Sequence, residues 1–168
     1  DSTLNDFLQF ARPRNPQHRP VDLSSMAGDL ISIIWSDEDT VGDIEAKTDL
    51  PEEVFLVECD GNQIRQVFWN TILNGIQSMH GKGALRVSLC EEGDMARIEI
   101  SDTGPGIPRE ELTKVFEPFH TTKPRGTGLG LPIARRIIMA HGGDIRLDSV
   151  VGDGTTAVIT LPVHNPDA

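Results

Sequence analysis

The sequence predicts an α+β fold, a two-layer α/β sandwich in which a mixed, mostly antiparallel sheet is covered on one face by helices. Three observations support this prediction. Residues 84–101 and 144–162 each hold two runs with apolar residues at every second position around a glycine-containing turn, the pattern of a β-hairpin. Residues 60–79 instead carry apolar residues at helical spacing. A further helical pattern ends near His141, so hairpins and helices are interleaved along the chain.

The amino-terminal third is predicted to contain two helices, a linker and two strands. Residues 1–11 are typical of the last turns of a helix whose beginning lies outside this sequence. The prolines in residues 12–20 end that helix and predict a linker. Asp22 is a suitable N-cap for the next helix. After an acidic turn, residues 44–50 and 54–59 have the pattern of two strands around a short turn.

The composition is that of an ordinary globular domain with a strong negative charge. The 168 residues carry a net charge of -11, and the pI is near 4.7. Such a surface repels phosphate backbones, so nucleic acid is not expected as a partner. The sequence has no apolar run of membrane-spanning length and no signal-peptide pattern. We expect a cytoplasmic chain without direct membrane contact of its own, and the parent protein could still be anchored in the inner membrane. Cys59 and Cys90 lie in alternating apolar runs and are expected to be buried and reduced.

The helix predicted at residues 60–79 has two contrasting faces. The apolar face, predicted to pack into the core, comprises Ile64, Val67, Phe68, Ile72, Ile76 and Met79. The opposite face carries the amides Gln63, Gln66, Asn70, Asn74 and Gln77. Because asparagine is a poor helix former, two asparagines four residues apart require a reason. Their oxygens could ligate a hard cation such as Mg²⁺, or the face could be a neutral surface packed against a neighbouring loop.

A strand pattern ends at Asp102 and is followed by a sharp turn through Gly104 and Gly106. The aspartate could simply form an Asx-turn. Alternatively, its carboxylate could accept a hydrogen bond from the amino group of adenine. It would repel the carbonyl that guanine has in the same place, so the position is a candidate for selective binding of adenine.

A loop with glycines at 126, 128 and 130 leads into the last predicted helix. Unpaired N–H groups and the helix dipole make such a junction a candidate anion site, which glycines let a phosphate approach closely. The Gly-Lys-Ser/Thr of a Walker loop is absent, and no apolar strand precedes the glycines as in a Rossmann fingerprint. A mobile lid over a nucleotide and a plain glycine-rich turn are the alternatives. The lid would use the polar side chains of Thr121, Thr122, Lys123 and Arg125.

Five motifs in this order resemble the catalytic, ATP-binding domain of sensor histidine kinases, a Bergerat-type fold shared with DNA gyrase, MutL mismatch-repair proteins and a heat-shock chaperone. They are NTILN (70–74), DTGPGI (102–107), FEPF (116–119), GTGLGL (126–131) and GDGTT (152–156). The last could also be a plain hairpin turn. The resemblance implies a catalytic domain at residues 22–162, a stub of the upstream dimerisation helix plus linker at 1–21, and a tail at 163–168. Gln77, where many such kinases have Lys or Arg, and FARP (10–13) resemble a nitrogen-regulation-like subgroup.

The resemblance also implies a site for ATP and Mg²⁺. Asn74 would lie near Mg²⁺ bound through the ATP phosphates, and Gln66 or Asn70 would orient the nucleophile. The residues expected around ATP are Asn70, Asn74, Gln77, Asp102, Gly104, Gly106, Ile107, Phe119, Thr121, Thr122, Lys123, Arg125, Gly126, Thr127, Gly128, Leu129, Gly130, Leu131 and Thr155.

Specific roles follow for some of these residues. Asp102 would bind adenine, with Thr155 closing that side of the pocket. Phe116 and Phe119 would anchor the lid. Because position 77 is an amide, Lys123 or Arg125 would supply the cation for the phosphates.

The activity implied is transfer of the γ-phosphoryl group of ATP to a histidine, for relay to an aspartate of a response-regulator receiver domain. The histidines are His18, His80, His120, His141 and His164, and none is followed by the acid and proline of the acceptor motif. The acceptor is therefore expected on the chain's own upstream dimerisation domain, and this chain alone should bind ATP without phosphorylating itself. His141 is expected to be a helix C-cap and His120 a solvent-exposed loop residue.

Three other functions are compatible with the same fold. An ATP-gated conformational ATPase, like gyrase or the chaperone, would need further domains, and the FEPF–TTK segment matches the kinases better. An anti-sigma kinase would phosphorylate serine or threonine, giving an acid-stable product. A non-catalytic nucleotide-binding module would not need the intact set of motifs.

Overall fold

The computed structural model describes residues 2–164, with side chains from residue 4 onward. In chain order the elements are α1 (Ser2–Ala11), β1 (Arg19–Asp22), α2 (Leu23–Trp35), α3 (Glu38–Val41), β2 (Asp43–Asp49), β3 (Leu56–Cys59), α4 (Gly61–Ser78), β4 (Lys82–Glu92), β5 (Met95–Asp102), α5 (Arg109–Leu112), α6 (Gly130–Ala140), β6 (Asp144–Val150) and β7 (Gly154–Pro162). Most of the predicted tail lies outside the described residues.

Five strands of the described chain form the main sheet, in the order β2-β4-β5-β7-β6. Both predicted hairpins are present, since β4 pairs antiparallel with β5 and β6 with β7. β5 and β7 are also antiparallel, whereas β2 runs parallel to β4. Leu85, Val87 and Leu89 of β4 are buried in the core shared with the helices, while Arg86 faces solvent. The predicted α+β sandwich with a mostly antiparallel sheet is therefore confirmed.

The two strands predicted around one turn at residues 44–59 exist but do not pair with each other. β2 pairs with β4, whereas β3 pairs with β1 in a separate antiparallel sheet whose register joins Arg19 to Cys59. The short turn between the two runs favoured a local hairpin. The true partner of β3 begins inside the predicted linker, where Pro20 conceals the strand pattern, so the linker prediction is wrong for its last two residues.

The two cysteines differ in their surroundings. Cys59 is buried as predicted, and burial together with the neighbouring charge of Asp60 raises the pKa of its thiol to about 12. Cys90 is exposed, so its prediction is wrong. The alternation along β4 sends Leu85, Val87 and Leu89 inward and therefore turns Cys90 outward.

Helix α4 has the faces and the start that the sequence predicts. The Asp60 side chain accepts the backbone N–H groups of Asn62 and Gln63 and caps the helix. The buried residues of the predicted apolar face are Ile64, Val67, Phe68, Ile72, Ile76 and Met79. This packing fixes the opposite, amide-bearing face toward the rest of the candidate site.

His141 connects the end of α6 to the start of α4. As predicted, it is the C-cap of α6. Its Nε2 accepts the backbone N–H of Asp60 at 3.0 Å, so Nδ1 carries the proton and donates to the Ile137 carbonyl at 2.7 Å. Burial chiefly lowers the pKa of His141, and the nearby ring of His18, 5.1 Å away, acts in the same direction. The ring therefore serves as a neutral connector between the two helices.

Helix α1 lies against α4 and α6. Arg136 donates to the carbonyl oxygen of Phe10, and its guanidinium lies 5.3 Å from the centre of the Phe10 ring. The Gln66 amide of α4 donates to Gln9. Among residues 2–164, no helix has both the length and the apolar character needed to cross a bilayer.

Candidate functional site

Three segments meet at the candidate site. They are the middle of α4, the end of β5, and the glycine-rich loop before α6. The ammonium of Lys123, in the loop, bonds to Asn74 of α4. Asp102, at the end of β5, packs against Gly75, the residue that follows Asn74 in the same helix. Residues that lie far apart in the sequence thus form one cluster, as the motifs indicate.

Asp102 is half-buried and makes the Asx-turn that was one of its two interpretations, because its Oδ1 accepts the N–H of Gly104 at 2.9 Å. The Ser78 hydroxyl and the Thr155 backbone N–H also interact with the carboxylate. Burial is the largest influence and raises the pKa of Asp102, against these hydrogen bonds and the charge of Lys123. Since a carboxylate has about four acceptor positions, the Asx-turn leaves capacity for a ligand.

Gly75 is a site residue that the motifs did not indicate. A Cβ at this position would lie 2.7 Å from Leu85 Cδ1 and 3.5 Å from Asp102 Cβ. Glycine therefore allows α4 to lie directly against the end of β5. Its signal in the sequence was a glycine inside a helix, which costs about 0.5–1 kcal/mol relative to alanine and so indicates a packing constraint.

Ser149 is a second residue that the motifs missed. Its hydroxyl oxygen accepts the backbone N–H of Ile107 at 2.8 Å, and its hydrogen is donated to the Gly154 carbonyl at 2.9 Å. The same oxygen lies 2.8 Å from Thr155 Oγ1. One serine thus joins the loop after β5 to the β6–β7 turn, and these two segments hold the residues predicted for the adenine side.

Two glycines allow the backbones to approach closely here. Gly106 has φ of 76°, and a Cβ on it would lie 2.3 Å from the Val150 carbonyl oxygen. Gly154 has φ of 110°, and a Cβ on it would lie 2.0 Å from the Asp102 carbonyl oxygen. Both positions therefore require glycine for conformation and for space.

An open cavity of about 420 Å³ lies at this end of the sheet. It is lined by residues 101–103, 148–150 and 153–156, which include Asp102 and Thr155. None of these residues belongs to α4 or to the glycine-rich loop, so the cavity is bounded by the sheet side of the candidate site.

The amide face of α4 contacts several different segments. Gln66 pairs with Gln9 of α1, and Asn70 Nδ2 donates to the Gly130 carbonyl at 3.3 Å. For these two residues, a polar face packed against neighbouring segments describes the structure well. Asn74, one turn further along, instead contacts a cation.

That cation is the ammonium group of Lys123. Its Nζ donates to Asn74 Oδ1 at 2.7 Å, to Gln77 Oε1 at 3.1 Å and to the Asn74 carbonyl at 3.4 Å. Burial lowers the pKa of Lys123, and the Asp102 charge acts in the opposite direction. Of the two predicted cations, Lys123 lies at the amides, whereas the Arg125 side chain is exposed.

The remainder of the loop is stabilised by local hydrogen bonds. The Thr121 hydroxyl accepts the Lys123 N–H at 3.1 Å, the Gly126 N–H donates to the Lys123 carbonyl at 3.1 Å, and the Thr127 hydroxyl accepts the Leu129 N–H at 3.3 Å. The exposed side chains of the loop include Thr121, Thr122 and Arg125.

Helix α6 begins directly after this loop. Leu129 is buried, and Gly130 and Leu131 form the first turn. In the described structure no side chain caps this helix start. Its backbone N–H groups and dipole are therefore available to an anion, as the glycine pattern indicates.

The two phenylalanines before the loop behave differently. Phe116 is half-buried and packs against the core. The Phe119 ring is 61% exposed, and it is the backbone N–H that attaches this residue, by donating to the Gly128 carbonyl at 3.0 Å. His120 is half-buried, with Nε2 2.8 Å from Glu111 Oε2, so the expectation of a solvent-exposed histidine is wrong.

Comparison with known proteins places these features in a family. Residues 59–165 match the family described as histidine kinase-, DNA gyrase B- and HSP90-like ATPase. Sporulation kinase D of Bacillus subtilis is 37% identical over 161 residues, covering 95% of this chain and 32% of the relative. The signal transduction histidine-protein kinase AtoS of Escherichia coli is 34% identical over 169 residues, covering 98% of this chain and 27% of the relative. The chain thus spans about a third of the length of these relatives.

Solved structures agree with the sequence relatives. The nucleotide-free catalytic domain of histidine kinase ThkA has a TM-score of 0.79 at 28% identity, covering 90% of this chain and 99% of that one. Histidine kinase ThkA in complex with the response regulator protein TrrA has a TM-score of 0.80 at 26% identity, covering 96% of this chain and 46% of that one.

Proposed function

Because this chain belongs to the histidine kinase-, DNA gyrase B- and HSP90-like ATPase family and corresponds to the ATP-binding catalytic domain of sensor histidine kinases, we propose that it binds Mg²⁺–ATP and transfers the γ-phosphoryl group to a histidine. The acceptor would lie on the upstream dimerisation domain, in the cytoplasm, and the phosphoryl group would pass on to an aspartate of a response regulator. The catalytic domain would comprise residues 22–162, with the end of the dimerisation helix and a linker at 1–21. The observation that carries the proposal is the meeting of Asp102, Asn74 and Lys123 beside one helix.

Adenine would bind at the end of β5. The carboxylate of Asp102 accepts hydrogen bonds and is half-buried, so a bond to the adenine amino group would be made in partly desolvated surroundings. Thr155 lies directly opposite Asp102 in the strand register and would close the same side. Guanine would place a carbonyl oxygen against the carboxylate, which predicts selection for ATP over GTP.

The phosphates would bind between α4 and the start of α6. The uncapped N–H groups of α6 suit an anion, and the Lys123 ammonium is close enough to α4 to contact phosphate oxygens. Asn74 Oδ1 already faces a positive charge, so its surroundings suit a hard cation. When bound, Mg²⁺ would neutralise charge on the phosphates.

The chain's part in the transfer would be to position the reactants. An imidazole nitrogen of the acceptor histidine would form a bond to the γ-phosphorus as the bond to the leaving ADP oxygen breaks. Gln66 or Asn70 would orient that imidazole; Gln66 contacts α1, and Asn70, one turn further along α4, contacts the start of α6. Because α1 precedes the linker, it lies on the side from which the acceptor domain would approach.

Calorimetric titration with Mg²⁺–ATP and Mg²⁺–GTP tests the binding step. We expect saturable binding of ATP, weak or absent binding of GTP, and an Asp102→Asn variant that loses about 1.5–3 kcal/mol of ATP affinity, the scale of a charge-assisted hydrogen bond. Asp144→Asn is the matched control. Asp144 is the first residue of β6, and the proposed adenine site lies at the other end of that strand, beside Ser149. Equal binding of ATP and GTP, or an unchanged Asp102→Asn variant, would exclude the proposed adenine contact.

Addition of the histidine-bearing domain tests the transfer step. Labelled γ-phosphate should appear on that domain as an acid-labile product and should not appear on this chain alone. An acid-stable product would indicate a serine or threonine kinase. ATP binding without any transfer would support a non-catalytic nucleotide-binding module, and hydrolysis without transfer would support a conformational ATPase.

A further inference from the structure

The oxygen that the proposed function assigns to the metal, Asn74 Oδ1, is occupied by a side chain of the protein itself. The Lys123 ammonium bonds to Asn74 Oδ1, to Gln77 Oε1 and to the Asn74 carbonyl. We propose that Lys123 is a latch, a resident cation that pins the glycine-rich loop to α4 in the absence of nucleotide and that Mg²⁺–ATP must displace from Asn74. The latch rests on this geometry, and its displacement rests also on the proposed function.

The latch is the loop's main tether to the rest of the protein. Among the hydrogen bonds described for residues 121–128, only those of Lys123 reach another element; the others stay within residues 119–129. The exposed side chains of Thr121, Thr122 and Arg125 add no tether of this kind. Loss of one ammonium group would therefore free the middle of the loop.

Lys123 and a divalent cation cannot occupy Asn74 together. The ammonium lies 2.7 Å from Asn74 Oδ1. A Mg²⁺ ion on the same oxygen would lie about 2.0–2.1 Å from it, and hence no more than about 5 Å from the ammonium. At that separation, in a partly buried site, the two positive charges repel strongly. One must leave when the other binds.

The surrounding charges make Lys123 a displaceable cation. Burial destabilises its charged form, and the carboxylate of Asp102 partly offsets this effect. Gln77 offers an oxygen acceptor instead of a second positive charge, so the lysine of the loop can approach α4. Once displaced, the ammonium would remain near enough to contact the phosphates that arrive with the metal.

Loop order without nucleotide tests the latch directly. Backbone ¹⁵N order parameters of residues 121–127 should be near the rigid value of about 0.85 in the unmodified chain and should fall below about 0.6 in Lys123→Met, which removes the charge but keeps the aliphatic stem. Lys114→Met is the matched control, because the Lys114 ammonium pairs with Glu111, outside the loop, and it should leave the loop unchanged. Equal order parameters in Lys123→Met and the unmodified chain would overturn the latch.

The Mg²⁺ dependence of ADP binding tests the displacement. The ratio of ADP affinities with and without Mg²⁺ should rise roughly tenfold in Lys123→Met, since the metal no longer competes with an ammonium for Asn74. An unchanged ratio would overturn the displacement. Failure of the unmodified chain to bind ADP at all would instead contradict the proposed function, and the order parameters would still decide the latch.

Discussion

The two sides of the candidate site are built in different ways. The adenine side is held by the sheet: Asp102 and Thr155 are paired residues of adjacent strands, and Ser149 joins the two loops beside them. The phosphate side is completed by a loop whose hydrogen bonds to another element, within residues 121–128, come from Lys123. Under the proposed function, recognition of the base would therefore be fixed by the fold, whereas closure over the phosphates would depend on few contacts.

This difference has a functional meaning. A preformed base pocket lets the domain select its nucleotide before any rearrangement occurs. A loosely held loop can open to release product and close to exclude water. Substitutions of the residues that hold the adenine side together should therefore affect stability and binding together, while those in the loop should affect binding alone.

The largest expected effect comes from Gly154→Ala. A Cβ there would collide with the Asp102 carbonyl oxygen in a conformation that only glycine adopts readily, so the free energy of unfolding should fall by about 3 kcal/mol and ATP affinity should fall with it. Gly152→Ala, in the same turn, has a φ of 91° but no atom within 4 Å, so it should cost only about 1–2 kcal/mol. Urea denaturation measures both, and equal losses would show that close packing at Gly154 is unimportant.

Ser149→Ala should have the next largest effect. Removing the hydroxyl leaves the Ile107 N–H without its acceptor, so about 1–2 kcal/mol of stability should be lost, together with ATP affinity. Ser88→Ala, on the outer face of β4, is the control and should change neither property. If Ser149→Ala lowers stability while ATP affinity stays constant, Ser149 does not position the adenine side.

A smaller effect on stability is expected from the titration of His141, which belongs to neither side of the candidate site. Because burial lowers the folded-state pKa of His141 below its unfolded value of about 6.5, the stability it contributes is complete above that value and is lost as pH falls below it. Denaturation between pH 7.5 and 5.5 should show this decline, and His141→Gln should flatten it. His164→Gln, an exposed histidine, should retain the full decline. A decline identical in His141→Gln would assign it to other groups.

The smallest effect should be the stability change in Asp102→Asn. Burial raises the folded-state pKa of Asp102, so between its unfolded value and the raised value stability falls as pH rises, and at neutral pH the charged group is a net cost. The variant should therefore be as stable as the unmodified chain or slightly more stable, despite its weaker ATP binding. A clear loss of stability at neutral pH would show that the carboxylate has a mainly structural role.

The sheet side could be predicted well because its signals are local. Alternation identified both hairpins, and Asp102 was placed correctly at a strand end. The prediction of strand pairing failed where the partners are distant in the sequence. The pairing of β1 with β3 depends on tertiary contacts that neither segment indicates on its own. Cys90 shows a related limit, since an apolar run indicates a strand but only the phase of its alternation tells which residues face outward.

For the candidate site, the motifs named residues but not their contacts. They placed Asn74 and Lys123 in one site, yet nothing in the sequence pairs these two side chains. Gly75 and Ser149 were missed because their roles arise from the approach of α4 to β5 and of one loop to another. Such roles depend on distances between segments, which spacing along the chain does not encode.

Amide hydrogen exchange, measured over seconds with and without Mg²⁺–ATP, tests most directly the central claim that the base pocket is preformed and the loop is held by few contacts. Residues 102–107 and 149–155 should exchange slowly without nucleotide and change little when it binds. Residues 121–128, which Lys123 alone tethers to another element among the described hydrogen bonds, should exchange faster than both segments without nucleotide and gain more protection when it binds. If the adenine side exchanges as fast as the loop without nucleotide and gains equal protection on binding, the base pocket is not preformed and the account is contradicted.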